Sequence, residues 1–600
     1  MRYYIKCAAG VLSFMMAAAA VPESFRNVTA ASEAVFINEI CTQNKSCLAD
    51  SYGSYSDWIE LYNQSDAEID ISGYGLSDKA DDPQQWVFPA GTTIAPKGYL
   101  IVFASKQAST ANEIHIGFSL SKNGETLILS NPQGEAIQTV TTPTLAEDAT
   151  YGRMQNNTFE TMQATPGTVN AVVTSAPTFS ADSGFYQRDF ALTLSSANQD
   201  MIYYTTDGSD PTTSSTAQQY TGAITVQDRT NQPNLYSNYA EDEQSAQSIS
   251  RGTGYQKPPF SVDKATVVRA AAKSRDGVFS DVVDRTYFIT NGKLSKYQDM
   301  MVVSLVTNPD NLFDPDIGIY VTGTQYLNWR NSGAYNPQKS VWDTDNITNY
   351  FSKGREWERE ASITIFENGT PVVAQNMGIR IKGASTRNTS QKSFNLYARS
   401  DYGASKIEYP LLPDNLDTEG NLIDKYDTIS LRSVSTEERL RDGFAQGMLA
   451  DRDALTTQNM RPCVLFLDGE YWGLYMMTEK FSDYFIETNY GIQKQDVAMI
   501  KNGELEEGPQ SEYDRFFAFA KEYAQKDMTD SANYKAVCDY IDVDSLIEHY
   551  AAGLYLGTYD WPNYNYGIWR NMGEAIAGNS YSDGKWRFIT LDLDYSMGAT

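Results

Sequence analysis

The residue pattern changes near Lys296, and this change limits the folds that the chain can adopt. Before Lys296, short alternating apolar runs are interrupted every few residues by Gly, Asn, Asp or Pro, which is typical of antiparallel β-sandwiches. After it, strand-like runs mix with segments of helical spacing at 439–455, 513–524 and 544–560. The sequence therefore predicts a multidomain protein with two N-terminal all-β sandwich modules followed by a larger α+β domain.

Charge and histidine content exclude several classes of function. The net charge of −29 argues against nucleic acid or an anionic membrane surface as a partner. The two histidines, His115 and His549, are too few for a three-histidine zinc site, and neither lies near an obvious nucleophile in sequence. Zinc chemistry and histidine-based hydrolysis are therefore excluded.

The N-terminus has the order of a secretory signal peptide. Arg2 and Lys6 precede an uncharged apolar run that is shorter than the roughly 20 residues of a membrane span, and small residues follow. We therefore expect residues 1–30 to be removed and the mature protein to be secreted or on the cell surface, without a transmembrane segment. Cys41 and Cys47 share one polar loop, where an oxidising exterior would preserve a small disulfide.

Residues 35–170 carry an ordered set of short motifs: VFINEI, SDWIELYNQSD, DISGYGLSD, KGYLIVFA, SLSKNGETLILSNPQGEAI and ATPGTVN. This set resembles the lamin-tail family, and the resemblance implies an immunoglobulin-like sandwich with an interaction or anchoring role. Asp57 and Glu60 are open to interpretation as metal ligands. We favour a solvated face of an edge strand, because the neighbouring Trp58, Ile59 and Leu61 suit the inner face.

Residues 177–289 form a second β region, with a hairpin at MIYYTTDGSDPT and a later run ATVVRAAAKSRDGVFSDVVDRTYFI. They resemble the small β module at the C-terminus of chitobiases and hexosaminidases. The polar stretch 227–262 is interpreted as a surface insertion. Tyr203 and Tyr204 are candidates for stacking on sugars, which makes a glycan or cell-wall contact one expectation, but neighbouring strand residues point to opposite faces.

Two acidic clusters near the end of the region 296–600 suit a divalent cation bound to phosphate. DWPNYNYGIWR places Asp560 five residues before Asn565, and KWRFITLDLDYSMG is an apolar strand ending in Asp592 and Asp594. Magnesium takes such hard oxygen ligands. Upstream, the alternating segment 376–399 supplies cations that suit phosphates, namely Arg380, Lys382, Arg387 and Lys392.

These stretches belong to an ordered series: NLFDPDIGIYVTG, REWERE, GIRIKGASTR with KSF, Arg441-Asp442, LDGEYWGLYMMTEKFSDYF, DWPNYNYGIWR and LDLDYSMG. The series resembles CotH, the spore-coat family of secreted atypical protein kinases. The resemblance implies a two-lobed kinase-like fold over 296–600, with ATP and Mg²⁺ or Mn²⁺ as cofactors.

Roles follow from the resemblance residue by residue. Asp560 takes the catalytic position that orients or deprotonates the acceptor hydroxyl, and Asn565 supports a metal. Asp592 or Asp594 is the principal metal ligand, and the choice between them stays open. The nucleotide-binding candidates are Lys392 at the phosphates, Arg380 as a weaker phosphate contact, and Glu479, which touches the nucleotide or pairs with a lysine.

Two features depart from the family. Leu591 stands where the family often has an aromatic residue, and the sequence stops at Thr600, so we expect a C-terminally truncated catalytic domain. The predicted function is transfer of the γ-phosphoryl of ATP to a hydroxyl of an extracellular or cell-surface protein. The alternative is a non-catalytic surface adhesion or assembly protein on a kinase-like scaffold. Nucleotidyl transfer also stays open, whereas a glycosidase finds little support in carboxylates that are common in acidic proteins.

Overall fold

The computed structural model describes residues 34–110, 113–154, 156–170, 174–196, 199–237, 258–274, 277–292, 296–297, 299–334, 336, 348–434 and 439–598. They divide into two compact units, one up to Thr174 and one from Ser175. The predicted signal peptide and most of the predicted insertion lie outside the described residues. Within those residues, every helix is too short or too polar to cross a membrane.

The first unit is an all-β sandwich, as predicted. Its strands are β1 (Val35–Cys41), β2 (Trp58–Asn63), β3 (Ile69–Asp70), β4 (Gly75–Ser77), β5 (Trp86–Val87), β6 (Thr93–Ile94), β7 (Tyr99–Phe103), β8 (Ile114–His115), β9 (Thr126–Ser130), β10 (Ala136–Thr141), β11 (Ala149–Arg153) and β12 (Phe159–Gln163). A sheet of order β12-β11-β1-β2-β7-β8 and a sheet of order β10-β9-β4-β5 share one apolar core.

Glu60 corrects the interpretation of β2 as an edge strand. β2 lies between β1 and β7, and Glu60 is fully buried. Its Oε1 accepts from Asn38 Nδ2 at 2.7 Å and its Oε2 from the backbone N–H of Gly167 at 2.5 Å. Burial raises the pKa of Glu60 to about 7. The solvated face expected for Glu60 is therefore wrong, since neutral donors inside the sandwich satisfy this carboxyl group.

The structure also differs from the expected disulfide. Cys41 and Cys47 are both free thiols. Cys41 is buried against Trp58 and Phe103, while the Cys47 thiol donates to Asn44 Oδ1 at 3.1 Å. The loop that holds Cys47 is therefore fixed by an asparagine side chain.

The second unit begins with a small β module. Its strands are β13 (Thr178–Phe179), β14 (Gly184–Tyr186), β15 (Phe190–Leu192), β16 (Leu194–Ser195), β17 (Met201–Thr205), β18 (Gln218–Gln219), β19 (Ile224–Val226), β20 (Thr266–Lys273) and β21 (Val283–Ile289). The main sheet has the order β14-β21-β20-β17-β18. Tyr204 packs against the core of the module, while Tyr203 lies beside Phe279 and Lys273.

A closed seven-stranded barrel follows, in the order β22-β23-β24-β25-β28-β30-β29. The strands of this part are β22 (Met301–Val306), β23 (Arg359–Glu367), β24 (Thr370–Lys382), β25 (Ser393–Tyr397), β26 (Ile407–Glu408), β27 (Lys425–Tyr426), β28 (Thr428–Ser433), β29 (Met460–Leu467) and β30 (Glu470–Glu479), with helices α1 (Asp310–Phe313), α2 (Gly323–Arg330) and α3 (Arg439–Leu449). Alternate side chains of the barrel strands fill its interior. The β module packs on the barrel through Phe185 and Phe288 against Phe366.

The remaining elements form a second lobe of helices around one sheet. They are α4 (Asp483–Tyr490), β31 (Val497–Lys501), β32 (Glu504–Glu507), α5 (Gln510–Tyr523), α6 (Ser531–Tyr540), α7 (Val543–Leu556), β33 (Tyr566–Asn571) and β34 (Arg587–Thr590). The sheet has the order β32-β31-β33-β34. Tyr513, Phe516 and Phe517 of α5 pack against it, as the helical spacing predicts. The α+β expectation for this region is confirmed.

Candidate functional site

The chain brings the two predicted acidic clusters to one edge of the β33-β34 sheet. α7 ends at Leu556 and is capped by Gly557, whose φ of 61° is a left-handed conformation that glycine adopts without strain. The backbone N–H of Tyr559 then donates to the carbonyl of Tyr595 at 2.8 Å. A few residues later, β33 begins with Tyr566 opposite Thr590 of β34. The loop 560–565 is therefore fixed at both ends to the segment that carries Asp592 and Asp594.

Asp560 and Asn565 are joined directly within this loop. Asn565 Nδ2 donates to Asp560 Oδ2 at 2.7 Å. The other carboxylate oxygen, Oδ1, is buried and has no hydrogen-bond partner in the part of the chain that the structure describes. Leaving such an oxygen unsatisfied costs about 1–3 kcal/mol. Asn565 also has a φ of 58°, and strained or unsatisfied groups that are retained in a fold are typical of functional sites.

Asp592 and Asp594 follow β34 but face different surroundings. The Asp592 side chain is 45% exposed, whereas the Asp594 side chain is 10% exposed. Asp592 has a φ of 52°, which turns the chain sharply into the short 3-10 turn Leu593–Tyr595. Of the two acids that the sequence left undecided, Asp592 is thus the one accessible to a ligand.

Arg432 contacts both of these acids, and sequence reasoning missed it. It lies on β28, forms close ion pairs with Asp592 and with Asp442 of α3, and approaches Asp594 Oδ2 at 3.5 Å. Burial alone would lower the pKa of Arg432, but the three carboxylates together raise it above its ordinary value. In the sequence, the only signal of this role is the charged residue in the alternating segment 428–433, TISLRS.

Four cations were predicted to bind phosphate. One of them, Lys382, lies close enough to Asp592 for the charge of that acid to affect its pKa. It ends β24 and is half-buried. Burial and the nearby charge of Arg432 lower its pKa to about 7, and the charge of Asp592 acts in the opposite direction. Lys501 of β31, which sequence reasoning also missed, contributes to lowering this pKa and pairs with Glu506 at 3.0 Å. The charges of Asp592 and Lys501 therefore both act on Lys382.

Lys392 has different neighbours. Its Nζ donates to the carbonyls of Arg387 at 2.7 Å and Thr389 at 3.0 Å, and it lies 4.0 Å from the centre of the Tyr350 ring. Burial lowers its pKa to about 7. These contacts tie down the loop between β24 and β25, and a phosphate contact by Lys392 stays a prediction.

Arg380 and Arg387 are also engaged within the barrel. Arg380 Nε lies 3.3 Å from Glu358 Oε2, and its guanidinium carbon lies 4.1 Å from the centre of the Tyr397 ring. Arg387 is buried, and its Nη1 donates to the Tyr350 carbonyl at 3.0 Å. The weaker phosphate role predicted for Arg380 would require it to leave Glu358, and it stays a prediction.

Glu479 lies where β30 leaves the barrel, just before α4. Both carboxylate oxygens accept from side-chain amides, Oε2 from Asn415 at 2.8 Å and Oε1 from Asn489 at 3.1 Å. Burial raises the pKa of Glu479 to about 7. Its neighbours are thus neutral, and the predicted contact with a nucleotide or a lysine stays a prediction.

The donor set fits a magnesium ion that is bound together with phosphate. Within the described residues, no group of three or more His, Cys, Asp or Glu side chains is arranged to hold a metal by itself. Magnesium, however, usually takes one or two carboxylates and completes its shell with water and substrate phosphates. One carboxylate from Asp592 and one amide oxygen from Asn565 are consistent with this kind of coordination.

Comparison with known families gives three matches along the chain. The model described as "CotH kinase protein" matches residues 379–600, the model "Lamin Tail Domain" matches residues 28–144, and the model "Chitobiase/beta-hexosaminidase C-terminal domain" matches residues 181–284. These matches confirm the predicted resemblances and their order. The kinase match includes every site residue described above and supports a kinase-type function.

Other comparisons add little. No curated protein matches the chain. Among solved structures, fibronectin(III)-like modules of CbhA from Clostridium thermocellum are similar, at 8% identity, covering 40% of this chain and 88% of that chain with a TM-score of 0.14. This likeness is too low to carry any conclusion about fold or function.

Proposed function

We propose that the chain is a secreted or cell-surface atypical protein kinase that transfers the γ-phosphoryl of ATP to a hydroxyl group of an extracellular protein. The observation that carries this proposal is the pair Asp560 and Asn565, joined by a 2.7 Å hydrogen bond and fixed beside the strand end that bears Asp592. Protein kinases use an Asp, an Asn five residues later and a further Asp in this order. The family match over 379–600 supports the same reaction.

Asp560 receives the acceptor hydroxyl. Its Oδ2 is held by Asn565, so the carboxylate has one fixed orientation. Its Oδ1 is the buried oxygen without a partner among the described residues, and a hydroxyl donor from the acceptor would satisfy it. Asp560 thus orients the acceptor and accepts its proton as phosphoryl transfer proceeds, a role that contributes about 10²–10⁴-fold in rate.

Asp592 and Asn565 would hold the magnesium ion. Because Asn565 Nδ2 donates to Asp560, its amide oxygen is left as the ligand atom. Asp592 supplies a carboxylate that is 45% exposed. The ion would neutralise phosphate charge, which is the main task in this reaction. Asp594, at 10% exposure, is proposed as support for Asp592.

Lys382 would contact the nucleotide phosphates. It lies close enough to Asp592 for that carboxylate to affect its pKa, so one phosphate chain would reach both. A lysine acts there as a point charge on the phosphate oxygens. The phosphate contact predicted for Lys392 from the sequence is the competing assignment.

A non-catalytic scaffold is the second candidate. The two β-module matches, which together lie outside the kinase match, favour an anchoring or assembly role for the N-terminal half. We propose that these modules attach the protein to a surface or a glycan, whichever of the two candidates holds for residues 379–600.

The test is label transfer by the full chain from ATP labelled at the γ or the α phosphate, with Mg²⁺ and dephosphorylated casein as the acceptor probe. The expected result is γ label on protein, lost in Asp560→Asn and Asp592→Asn and kept in Asp539→Asn, an exposed helical acid that serves as control. Transfer of α label would instead identify nucleotidyl transfer. A folded chain that transfers neither label and binds no nucleotide would favour the scaffold.

A further inference from the structure

Arg432 joins three elements that come from distant parts of the chain. Its guanidinium lies on barrel strand β28 and contacts Asp442 of α3 through Nη1 and Asp592 beyond β34 through Nη2. Asp594 Oδ2 is 3.5 Å from the same Nη2. The side chain of Arg432 is 17% exposed, so these contacts form largely away from water.

Asp442 fixes the other side of this contact. Its side chain is 1% exposed, and its Oδ1 accepts from the backbone N–H of Leu593 at 3.0 Å. Leu593 is the residue between Asp592 and Asp594. Asp442 therefore holds both the guanidinium of Arg432 and the turn that carries Asp592, without itself reaching the exposed side of the site.

The charges explain why an arginine is needed. Three carboxylates that lie together repel one another unless a cation compensates them. Arginine has five donors in a rigid planar fork and contacts several carboxylates in a fixed geometry, whereas lysine is a single point charge. The guanidinium thus compensates and directs the Asp592 carboxylate, although Asp592 lies in a left-handed conformation that its own backbone does not favour.

We propose that Arg432 is a positioning residue, oriented by Asp442, that sets the Asp592 carboxylate for a divalent cation bound with nucleotide phosphate. This inference rests on the proposed function. Arg432 acts through Asp592 and does not itself contact the cation. Removing the guanidinium releases Asp592 from its position, and metal affinity falls.

The experiment measures Mn²⁺ binding to the full chain by electron paramagnetic resonance in the presence of ADP, with no turnover required. We expect Arg432→Gln to weaken Mn²⁺ binding at least tenfold. Arg432→Lys should recover part of the loss, because it restores the charge without the fork. Asp442→Asn should weaken binding in the same direction as Arg432→Gln, although Asp442 is not a metal ligand.

Arg461→Gln is the matched control. Arg461 lies on barrel strand β29, is 22% exposed and pairs with Glu367. It should leave Mn²⁺ binding unchanged. Circular dichroism melting identifies any variant that fails to fold, and Arg432→Lys, the mildest change, keeps the proposal testable if Arg432→Gln unfolds.

The outcomes separate the two levels of the proposal. The positioning role would be overturned if Arg432→Gln bound Mn²⁺ as tightly as the wild type, or more tightly. Arg432 would then have no effect on metal affinity or would compete with the metal. Absence of Mn²⁺ binding by the wild-type chain with ADP would overturn the proposed function itself.

Discussion

The molecule compensates its buried carboxyl groups in two different ways: by neutral donors, as in the N-terminal sandwich and at Glu479, or by a shared cation, as at the candidate site. In the N-terminal sandwich, Glu39 and Glu60 are fully buried and accept hydrogen bonds from hydroxyl, amide and backbone donors. Burial raises the pKa of both groups. Both acids are buried and their hydrogen bonds come from neutral groups of the sandwich itself, so no ligand reaches them. We therefore assign them a structural role.

At the candidate site of the second unit, one cation compensates several acids and one acid reaches solvent. Arg432 contacts Asp442, Asp592 and Asp594, and only Asp592 is nearly half exposed. In such a cluster, a bound cation can take over part of the charge compensation that the arginine provides. The comparison indicates that an acid is structural here when neutral donors satisfy both of its oxygens. Shared cationic compensation with exposure, as in Asp592, or an unsatisfied oxygen, as in Asp560, indicates a candidate site.

The largest effect should come from the exposed acid. Asp592→Asn should lower phosphoryl transfer by about a thousandfold, because it removes the charge that holds the cation. The thermal midpoint should change little, since the side chain is 45% exposed. Glu60→Gln should leave the transfer rate unchanged. A comparable loss of rate in both variants would break the distinction between the two kinds of acid.

Glu60 should instead control the stability of the sandwich. Its pKa is about 7 in the folded chain against an ordinary value of 4.5, so between these values the folded state holds a proton that the unfolded state lacks. The free energy of unfolding should therefore fall as pH rises from about 4.5 to 7, by up to about 3 kcal/mol. Hydrogen exchange of β1 and β2 amides across this range measures it. Exchange stability that does not fall over this range, or an equal fall in Glu60→Gln, would contradict the assignment.

Lys382 and Lys392 offer the same comparison for cations. Lys382→Met should weaken ADP binding about 10- to 100-fold, because it removes a charge-assisted contact with phosphate. Lys392→Met should change ADP affinity little, because Lys392 donates to backbone carbonyls, and should act mainly on stability. Calorimetric titration with ADP separates the two. The reverse result would restore the phosphate role to Lys392.

The smallest effect concerns pH. With a pKa of about 7, Lys382 loses its proton near neutrality, so ADP affinity should fall severalfold between pH 6 and pH 8. Lys382→Arg should bind ADP with much less dependence on pH over this range, because arginine stays charged. Equal pH dependence in the two proteins would assign the effect to another group.

Local motifs were predictable from the sequence, and long-range partners were not. Asp560, Asn565 and the pair Asp592 and Asp594 could be proposed from the sequence because each belongs to a short segment with its own spacing, and their roles stay predictions. Arg432 was missed because its contact with Asp592 joins residues 160 positions apart, one on a barrel strand and the other in the second lobe. Glu60 was misread for the same reason, since its sequence does not show that β1 and β7 flank β2 on both sides.

The ends of the helices were also harder to predict than their positions. The segment 544–560 predicted one helix, and α7 ends at Leu556 because Gly557 adopts a left-handed conformation. The segment 439–455 likewise gave α3, which ends at Leu449. Spacing of apolar residues located both helices, whereas their ends depend on the packing that fixes the next turn.

The most direct test of the proposed site is a crystal structure of the full chain with ADP and Mn²⁺, with manganese located by its anomalous scattering. We expect manganese at the Asp592 carboxylate and the Asn565 amide oxygen, with the ADP phosphates beside Lys382. Manganese bound elsewhere, or phosphates seated at Lys392 away from Asp592, would contradict the account.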